Sequence, residues 1–94
     1  MIQVRETFIA KPGCASKLAR MFVEALRSAP WRTRVLTDVV GQFNTVCLET
    51  EAASTAEFEA RMQEYMSNAE LRNKMAGYTE LYVEGKREIF QVVE

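Results

Sequence analysis

Histidine is missing from this 94-residue sequence, and its absence narrows the chemistry that the chain can perform. Histidine is the commonest general base, the commonest zinc ligand and the usual axial ligand of haem. The two cysteines, Cys14 and Cys47, fit no metal-binding spacing. The sequence therefore predicts no metal site and no cofactor, and it predicts that both thiols are free.

Long apolar runs and an excess of one charge are also missing. No stretch approaches the roughly 20 apolar residues that span a bilayer, and the first residues do not resemble a secretory signal. Twelve basic and thirteen acidic residues give a net charge of -1, without the basic excess that tracks phosphates. We therefore expect a cytoplasmic protein with neither membrane insertion nor a nucleic-acid partner.

The chain has the size and composition of one globular domain spanning residues 1–94, with 48% hydrophobic and 27% charged residues. Hydrophobic residues alternate with period two in some segments and recur at helical spacing in others. The predicted strands are 2–10, 31–40, 45–51 and 86–93, and the predicted helical regions are 14–28 and 54–85. This order is the ferredoxin-like split β-α-β-β-α-β pattern, an α+β fold with a four-stranded antiparallel sheet. Handedness and hairpin rules place the first and third strands in the centre.

The second helical region has two start signals. Ser54 and Glu57 form the spacing of a capping box, and Ser67-Asn68 offers a second N-cap, so we expect two helices with a kink between them. The second helix is expected to contain Gly77 and to end at a Gly85 cap. Its predicted stripe is Leu71, Met75, Tyr78 and Tyr82.

Aromatic and methionine side chains recur on the helical stripes that should face the sheet. The first interpretation is a packed amphipathic core with the phenolic oxygens at its rim; the alternative is a pocket for a planar apolar ligand between helices and sheet. Trp31, just after Pro30, could close the mouth of such a pocket. The candidate pocket residues are Trp31, Met62, Tyr65, Tyr78 and Tyr82.

The opposite sheet face mixes charged and apolar side chains. We expect its charged members to form an ion-pair network, with an anion or acid–base site as the alternative; they are Arg5, Arg34, Asp38 and Glu49. Ile9, Leu36 and Val40 on the same face would leave an apolar patch in water. The sequence therefore predicts a homodimer formed through this face.

Three segments resemble NIPSNAP-like proteins. Arg5-Glu6-Thr7-Phe8 followed by Lys11-Pro12-Gly13 resembles the opening strand and turn of that family, and the segments 39–46 and 85–90 resemble its hairpin and its last strand. The resemblance implies the dimeric α+β barrel superfamily, whose members include antibiotic-biosynthesis monooxygenases, haem-degrading enzymes and muconolactone isomerases. It therefore also implies a homodimer.

The resemblance leaves two functions open. The haem-degrading branch relies on a histidine, which is absent here, and the cofactor-free monooxygenases use an Asn, Trp and Tyr set. Asn44, Trp31 and Tyr65 supply those residue types, but not at matching positions, so no catalytic residue is assigned. The first interpretation is a small-molecule binding or interaction domain of NIPSNAP-like type. The alternative is a cofactor-free monooxygenase or isomerase acting on a planar apolar substrate.

Overall fold

The computed structural model describes all 94 residues, and it confirms the predicted α+β fold. The strands are β1 (Ile2–Ala10), β2 (Thr33–Thr37), β3 (Thr45–Ala52) and β4 (Tyr82–Gln91). The helices are α1 (Ala15–Leu26), α2 (Thr55–Ser67) and α3 (Ala69–Lys74), and a 3₁₀ turn covers Tyr78–Glu80. None of these helices combines the length and the apolar character needed to cross a membrane.

The strands form one antiparallel sheet in the order β2-β3-β1-β4, which confirms β1 and β3 as the central pair. Phe8 of β1 lies opposite Val46 of β3 and Gly85 of β4. A side chain at position 85 would meet the ring of Phe8, since a Cβ there would lie 3.3 Å from its Cδ1 atom. Gly85 therefore leaves room for the Phe8 ring on the helix-facing side of the sheet.

The alternation of β1 and β3 places their apolar side chains under the helices. Val4 and Val46 are fully buried on this face, and α1 buries Leu18, Phe22 and Ala25 against it. Because burial of one such side chain contributes about 1.5–3 kcal/mol, this layer holds α1 on the sheet. The other face of the sheet carries no helix and is called the open face below.

The start of α2 confirms most of the predicted capping box. The backbone N–H of Glu57 donates to the Ser54 hydroxyl at 3.2 Å. The Glu57 carboxylate accepts from the N–H of Ala53 at 2.7 Å, one residue earlier than expected. The predicted break also occurs, because the Asn68 side chain accepts from the N–H of Leu71 at 3.2 Å and starts α3.

The expectation of a long helix ending at Gly85 is wrong. Gly77 has φ +83°, a left-handed conformation that helical residues do not adopt, so α3 has already ended at Lys74. The N–H of Lys11 then donates to the carbonyl of Leu81 at 2.8 Å and draws the chain into the sheet. β4 therefore begins at Tyr82, four residues earlier than predicted, and Gly85 lies inside it.

The predicted second strand, 31–40, is too long at both ends, because β2 covers only Thr33–Thr37. The predicted first helix, 14–28, extends two residues beyond the observed end of α1 at Leu26. β2 stops at Thr37 because the Asp38 carboxylate accepts from the N–H of Thr45 at 3.0 Å and closes a loop. Val39 and Val40 lie in that loop, each 95% exposed. Neither belongs to a sheet face, so the apolar part of the open face is smaller than the sequence suggested.

Candidate functional site

A cavity of about 440 Å³ lies between the helices and the covered face of the sheet. Its walls come from all four strands, the three helices and the 3₁₀ turn. Twelve of the eighteen lining residues are hydrophobic. They are Val4, Glu6, Phe8, Phe22, Leu26, Trp31, Thr33, Leu48, Thr50, Phe58, Arg61, Met62, Tyr65, Met66, Arg72, Met75, Tyr78 and Arg87. The helix-facing side of the sheet is thus only partly filled by the core.

Aromatic rings close the end of the cavity nearest α1. Phe22 contacts Phe8 with 5.1 Å between ring centroids and Tyr78 at 6.2 Å. Tyr82 packs behind this layer, 4.9 Å from Phe8 and 5.9 Å from Tyr78. Each separation falls in the range for favourable tilted or edge contacts. The rings therefore support one another and form a stiff wall.

An ion pair lies within this apolar lining. Glu6 and Arg87 are cross-strand neighbours on β1 and β4, and Arg87 Nη2 lies 2.9 Å from Glu6 Oε2. The side chain of Glu6 is 19% exposed and that of Arg87 is 45% exposed. The Arg87 guanidinium also lies over the Phe58 ring at 5.2 Å. The pair gives the cavity one polar region with a proton acceptor and a cation.

Two phenols share this region. Burial raises the pKa of Tyr65 first of all, and the neighbouring Tyr78 and the Glu6 carboxylate raise it further. Burial is also the main reason for the raised pKa of Tyr78, followed by Tyr82 and Glu6. Both phenols therefore stay protonated at neutral pH and can donate a hydrogen bond.

Trp31 and Arg61 form the wall at the other end. The Arg61 guanidinium lies 5.2 Å from the centre of the Trp31 ring, donates to the carbonyl of Glu51 at 2.8 Å and pairs with Glu57 at 2.7 Å. A second, mostly polar concavity of about 590 Å³ lies beyond this wall, among exposed residues such as Arg32 and Glu51. We regard it as a surface groove, because it is open to solvent and eight of its twelve lining residues are polar or charged.

The structure brings together four of the five predicted pocket residues. Trp31, Met62, Tyr65 and Tyr78 line the cavity, whereas Tyr82 supports it from behind Phe8 through the ring contacts given above. Nothing in the geometry tests whether a ligand binds there, so the assignment of a ligand to these residues stays a prediction.

The charged cavity residues were missed at the sequence level. The position of Glu6 could have been predicted, because Ile2, Val4, Glu6 and Phe8 alternate with period two and therefore share the covered face of the sheet. Arg87 follows from strand pairing with Glu6, but only once β4 is placed correctly. Arg61 and Arg72, by contrast, look like ordinary helical surface residues in the sequence.

The predicted polar network on the open face is only partly assembled. Arg5 Nε lies 2.8 Å from Glu49 Oε2, and this hydrogen bond is the main reason for the raised pKa of Arg5. Arg34 lies opposite Glu49 in the register between β2 and β3 but is exposed. The Asp38 carboxylate is committed to the hairpin loop, as described above. Of the four predicted residues, Arg5 and Glu49 therefore form an ion pair and Arg34 lies beside it. Asp38 takes no part in this network.

The Asn, Trp and Tyr residue types are not gathered at one site. Trp31 and Tyr65 line the cavity, but Asn44 lies in the hairpin with φ +67° and is not among the lining residues. Its carbonyl accepts from the N–H of Ala10 at 2.8 Å. Asn44 therefore has a structural role in the turn.

The fold is a ferredoxin-like α+β domain of the type found in NIPSNAP proteins and antibiotic-biosynthesis monooxygenases. No protein-family profile matches the chain, and no curated protein matches it. Solved structures do match. A NIPSNAP domain protein from Burkholderia xenovorans superposes with a TM-score of 0.85 at 10% identity, covering 99% of this chain and 95% of its own. A NIPSNAP family protein from Agrobacterium tumefaciens gives 0.80 at 10% identity, with 99% and 93% covered.

The monooxygenase likeness is somewhat more distant. SnoaB, a cofactor-independent oxygenase from Streptomyces nogalater, superposes with a TM-score of 0.70 at 10% identity, covering 99% of this chain and 93% of its own. At identities this low, the comparisons establish the fold. For the fold, they confirm the NIPSNAP-like resemblance that was seen in the sequence.

Proposed function

We propose that this chain is a small-molecule-binding domain of NIPSNAP-like type, and that it holds a planar, mostly apolar ligand in the helix–sheet cavity. The observation that carries the proposal is the cavity itself. Ligand sites are usually clefts or cavities of about 300–1,000 Å³ with mostly apolar walls. At about 440 Å³ and with twelve hydrophobic lining residues, the cavity fits this description and is large enough for a molecule with two or three fused rings.

The shape and chemistry of the walls favour a planar ligand. Six of the lining residues carry aromatic rings, and flat rings pack well against flat ligands. They are Phe8, Phe22, Trp31, Phe58, Tyr65 and Tyr78. Two of the polar lining residues, Glu6 and Arg87, form an ion pair at one place in the wall, and a few fixed polar groups of this kind orient a ligand in an otherwise apolar site.

The test uses N-phenyl-1-naphthylamine, a neutral aromatic probe that fluoresces in apolar surroundings. We expect saturable binding to the wild-type protein. Met62→Trp, which places a larger ring in the cavity, should weaken binding roughly tenfold, about 1.4 kcal/mol. Val23→Trp is the matched control, because Val23 lies on α1 outside the cavity lining. Absence of binding, or equal binding by both variants with unchanged folds, would contradict the proposal.

A second candidate function is cofactor-free oxygenation or isomerisation of a planar substrate. In support of it, the Glu6 carboxylate lies near enough to the phenols of Tyr65 and Tyr78 to contribute to the raised pKa of both, and a carboxylate can accept a proton. A general base must lie within hydrogen-bond reach of the proton that it removes, so a bound hydroxyaromatic substrate is the relevant probe. Oxygen uptake without added cofactor that is lost in Glu6→Gln would support this function over simple binding. A stable complex that consumes no oxygen and releases an unchanged ligand would exclude it for that substrate.

The homodimer predicted from the sequence remains part of the proposal, with the open face as its interface. Ile9 and Leu36 are half-buried there, and Phe90 is 43% exposed beneath the Arg5 guanidinium at 5.2 Å. Charges of both signs alternate across the same face; they are Arg5, Arg34, Glu49, Lys86 and Glu88. A surface with both signs can complement itself across a two-fold axis, which favours a second copy as its occupant.

Sedimentation equilibrium at micromolar concentration tests this interface. We expect a dimer of the 10.7 kDa chain, and we expect Phe90→Glu to dissociate it by adding an unpaired charge. Val93→Glu is the control, because Val93 is 94% exposed beyond the end of β4. A wild-type monomer, or a dimer that survives Phe90→Glu, would rule out this interface.

A cytoplasmic location is the last part of the proposal. Cys14 and Cys47 are both free, as is usual in a reducing compartment. Fractionation of cells that make the protein at its natural level would test it, and recovery in the membrane or secreted fraction would contradict it.

A further inference from the structure

The cavity carries more positive than negative charge. Four of its lining residues are charged, and three of them are arginines; the set is Glu6, Arg61, Arg72 and Arg87. The chain as a whole has a net charge of -1, so the positive excess is local to this site. Charges beside an apolar wall act more strongly than they do in bulk water.

Two of the three arginines already have acidic partners. Arg87 is paired with Glu6 at 2.9 Å, and Arg61 is paired with Glu57 at 2.7 Å. The second guanidinium nitrogen of Arg61 is also occupied, because it donates to the backbone carbonyl of Glu51. These two side chains are therefore held in the walls and offer little to a ligand.

Arg72 is different because it forms no ion pair. It lies on α3 at the edge of the cavity. The other cation in the last turn of α3, Lys74, pairs with Glu70 at 3.6 Å and does not line the cavity. An exposed helical arginine is usually just solvated, but Arg72 is set apart by its place beside an apolar, ring-lined space. A guanidinium there can take a carboxylate or sulfonate through two parallel hydrogen bonds.

We infer that the ligand of this cavity is an aromatic anion, with its rings among the aromatic walls and its acidic group on Arg72. This inference rests on the proposed binding function and adds the charge of the ligand. The site thus has three parts: an apolar body, the Glu6–Arg87 pair in its wall, and one cation without an acidic partner, Arg72, at its edge.

Two fluorescent probes with the same rings test the inference. N-phenyl-1-naphthylamine is neutral, whereas 8-anilino-1-naphthalenesulfonate carries a sulfonate. We expect the wild-type protein to bind the sulfonate roughly threefold to fivefold more tightly at low salt, because Arg72 is exposed and ion pairs at exposed sites are weak. Raising the ionic strength should reduce this ratio, because salt screens exposed charges.

Variants of α3 assign the preference to one side chain. Arg72→Gln should reduce the ratio of affinities to about one, while Arg72→Lys should keep most of it. Lys74→Gln is the control on the same helix and should leave the ratio unchanged. If neither probe binds, the proposed function fails and this inference fails with it. If both probes bind equally, or if Arg72→Gln leaves the ratio intact, the ligand is not an anion held by Arg72, and the proposed binding function stands.

Discussion

Substitution of Gly77 by alanine distinguishes sharply between a helix at this position and the observed turn. If Gly77 were inside a helix, alanine would stabilise the protein by about 1 kcal/mol. In the structure Gly77 has φ +83° and connects the end of α3 to the 3₁₀ turn that carries Tyr78. Alanine in that left-handed conformation is strained, so the sign of the effect reverses.

The magnitude follows from two opposing terms. A left-handed conformation costs a residue with a Cβ roughly 1–2 kcal/mol. Alanine also restricts the unfolded chain, which offsets about 0.4–1 kcal/mol of this cost. Apart from the adjacent residues of the chain, no atom lies within 4 Å of the position that a Cβ would occupy at Gly77, so no clash with another part of the fold adds to the cost. We therefore expect Gly77→Ala to lower the free energy of unfolding by about 1 kcal/mol, or the melting temperature by about 4–8 °C.

Urea denaturation followed by far-ultraviolet circular dichroism measures this change, at one fixed protein concentration. Gly77→Asn is the matched control, because asparagine tolerates the left-handed region, and it should lose less stability than Gly77→Ala. A midpoint for Gly77→Ala above that of the wild type would refute the turn and restore the continuous helix. A continuous helix through Gly77 would also move Tyr78 away from the cavity.

Three further predictions concern the α2 cap and the thiols. Ser54→Ala should lower the free energy of unfolding by about 1 kcal/mol, because the N–H of Glu57 loses its acceptor; an unchanged urea midpoint would exclude this cap. The hydrogen bond from the N–H of Ala53, followed by the one from Arg61, lowers the pKa of Glu57 below its ordinary value. The contribution of Glu57 to stability is therefore complete above the ordinary pKa of a glutamate and is lost as the pH falls through the lowered pKa; Glu57→Gln should flatten this part of the acid-denaturation curve, and an unchanged curve would contradict it. Cys14 should react faster than Cys47 with iodoacetamide, because burial raises the pKa of the Cys47 thiol; peptide mapping after brief alkylation would show the reverse order if the strand placement were wrong.

The strands and helices could be predicted where the hydrophobic residues of a segment followed a single periodicity, either alternation or helical spacing. Alternation in β1 and β3 and the cap at Ser54 gave the order of elements and the central strands. The errors fall where a local backbone event overrides the pattern. Leu71, Met75 and Tyr78 keep helical spacing through Gly77, and only the dihedral angle of that glycine shows that the helix has ended. The Asp38 carboxylate likewise ends β2 within an apolar run.

The site was less predictable than the fold because its polar half depends on pairing between distant strands. The aromatic lining follows from helical stripes, which a single segment reveals. The ion pair joins residues 6 and 87, and it is defined only when the register of β4 against β1 is known. Arg72 becomes notable only by contrast with the paired arginines around it, which requires the side-chain geometry of all of them.

The Glu6–Arg87 pair bears directly on whether the cavity exists for binding or is a by-product of packing. With Arg87 45% exposed, a pair of this kind contributes only about 0–1 kcal/mol to stability, and replacement of buried ion pairs by apolar residues is often neutral or stabilising. A purely structural face would therefore do as well with two leucines, which would extend the apolar core into the cavity. If the pair serves a ligand, the double variant Glu6→Leu/Arg87→Leu should keep the free energy of unfolding within about 1 kcal/mol of the wild-type value, while both naphthyl probes bind more weakly. If the pair serves the fold, the same variant should lose stability, and probe binding should fall only in proportion to the unfolded fraction.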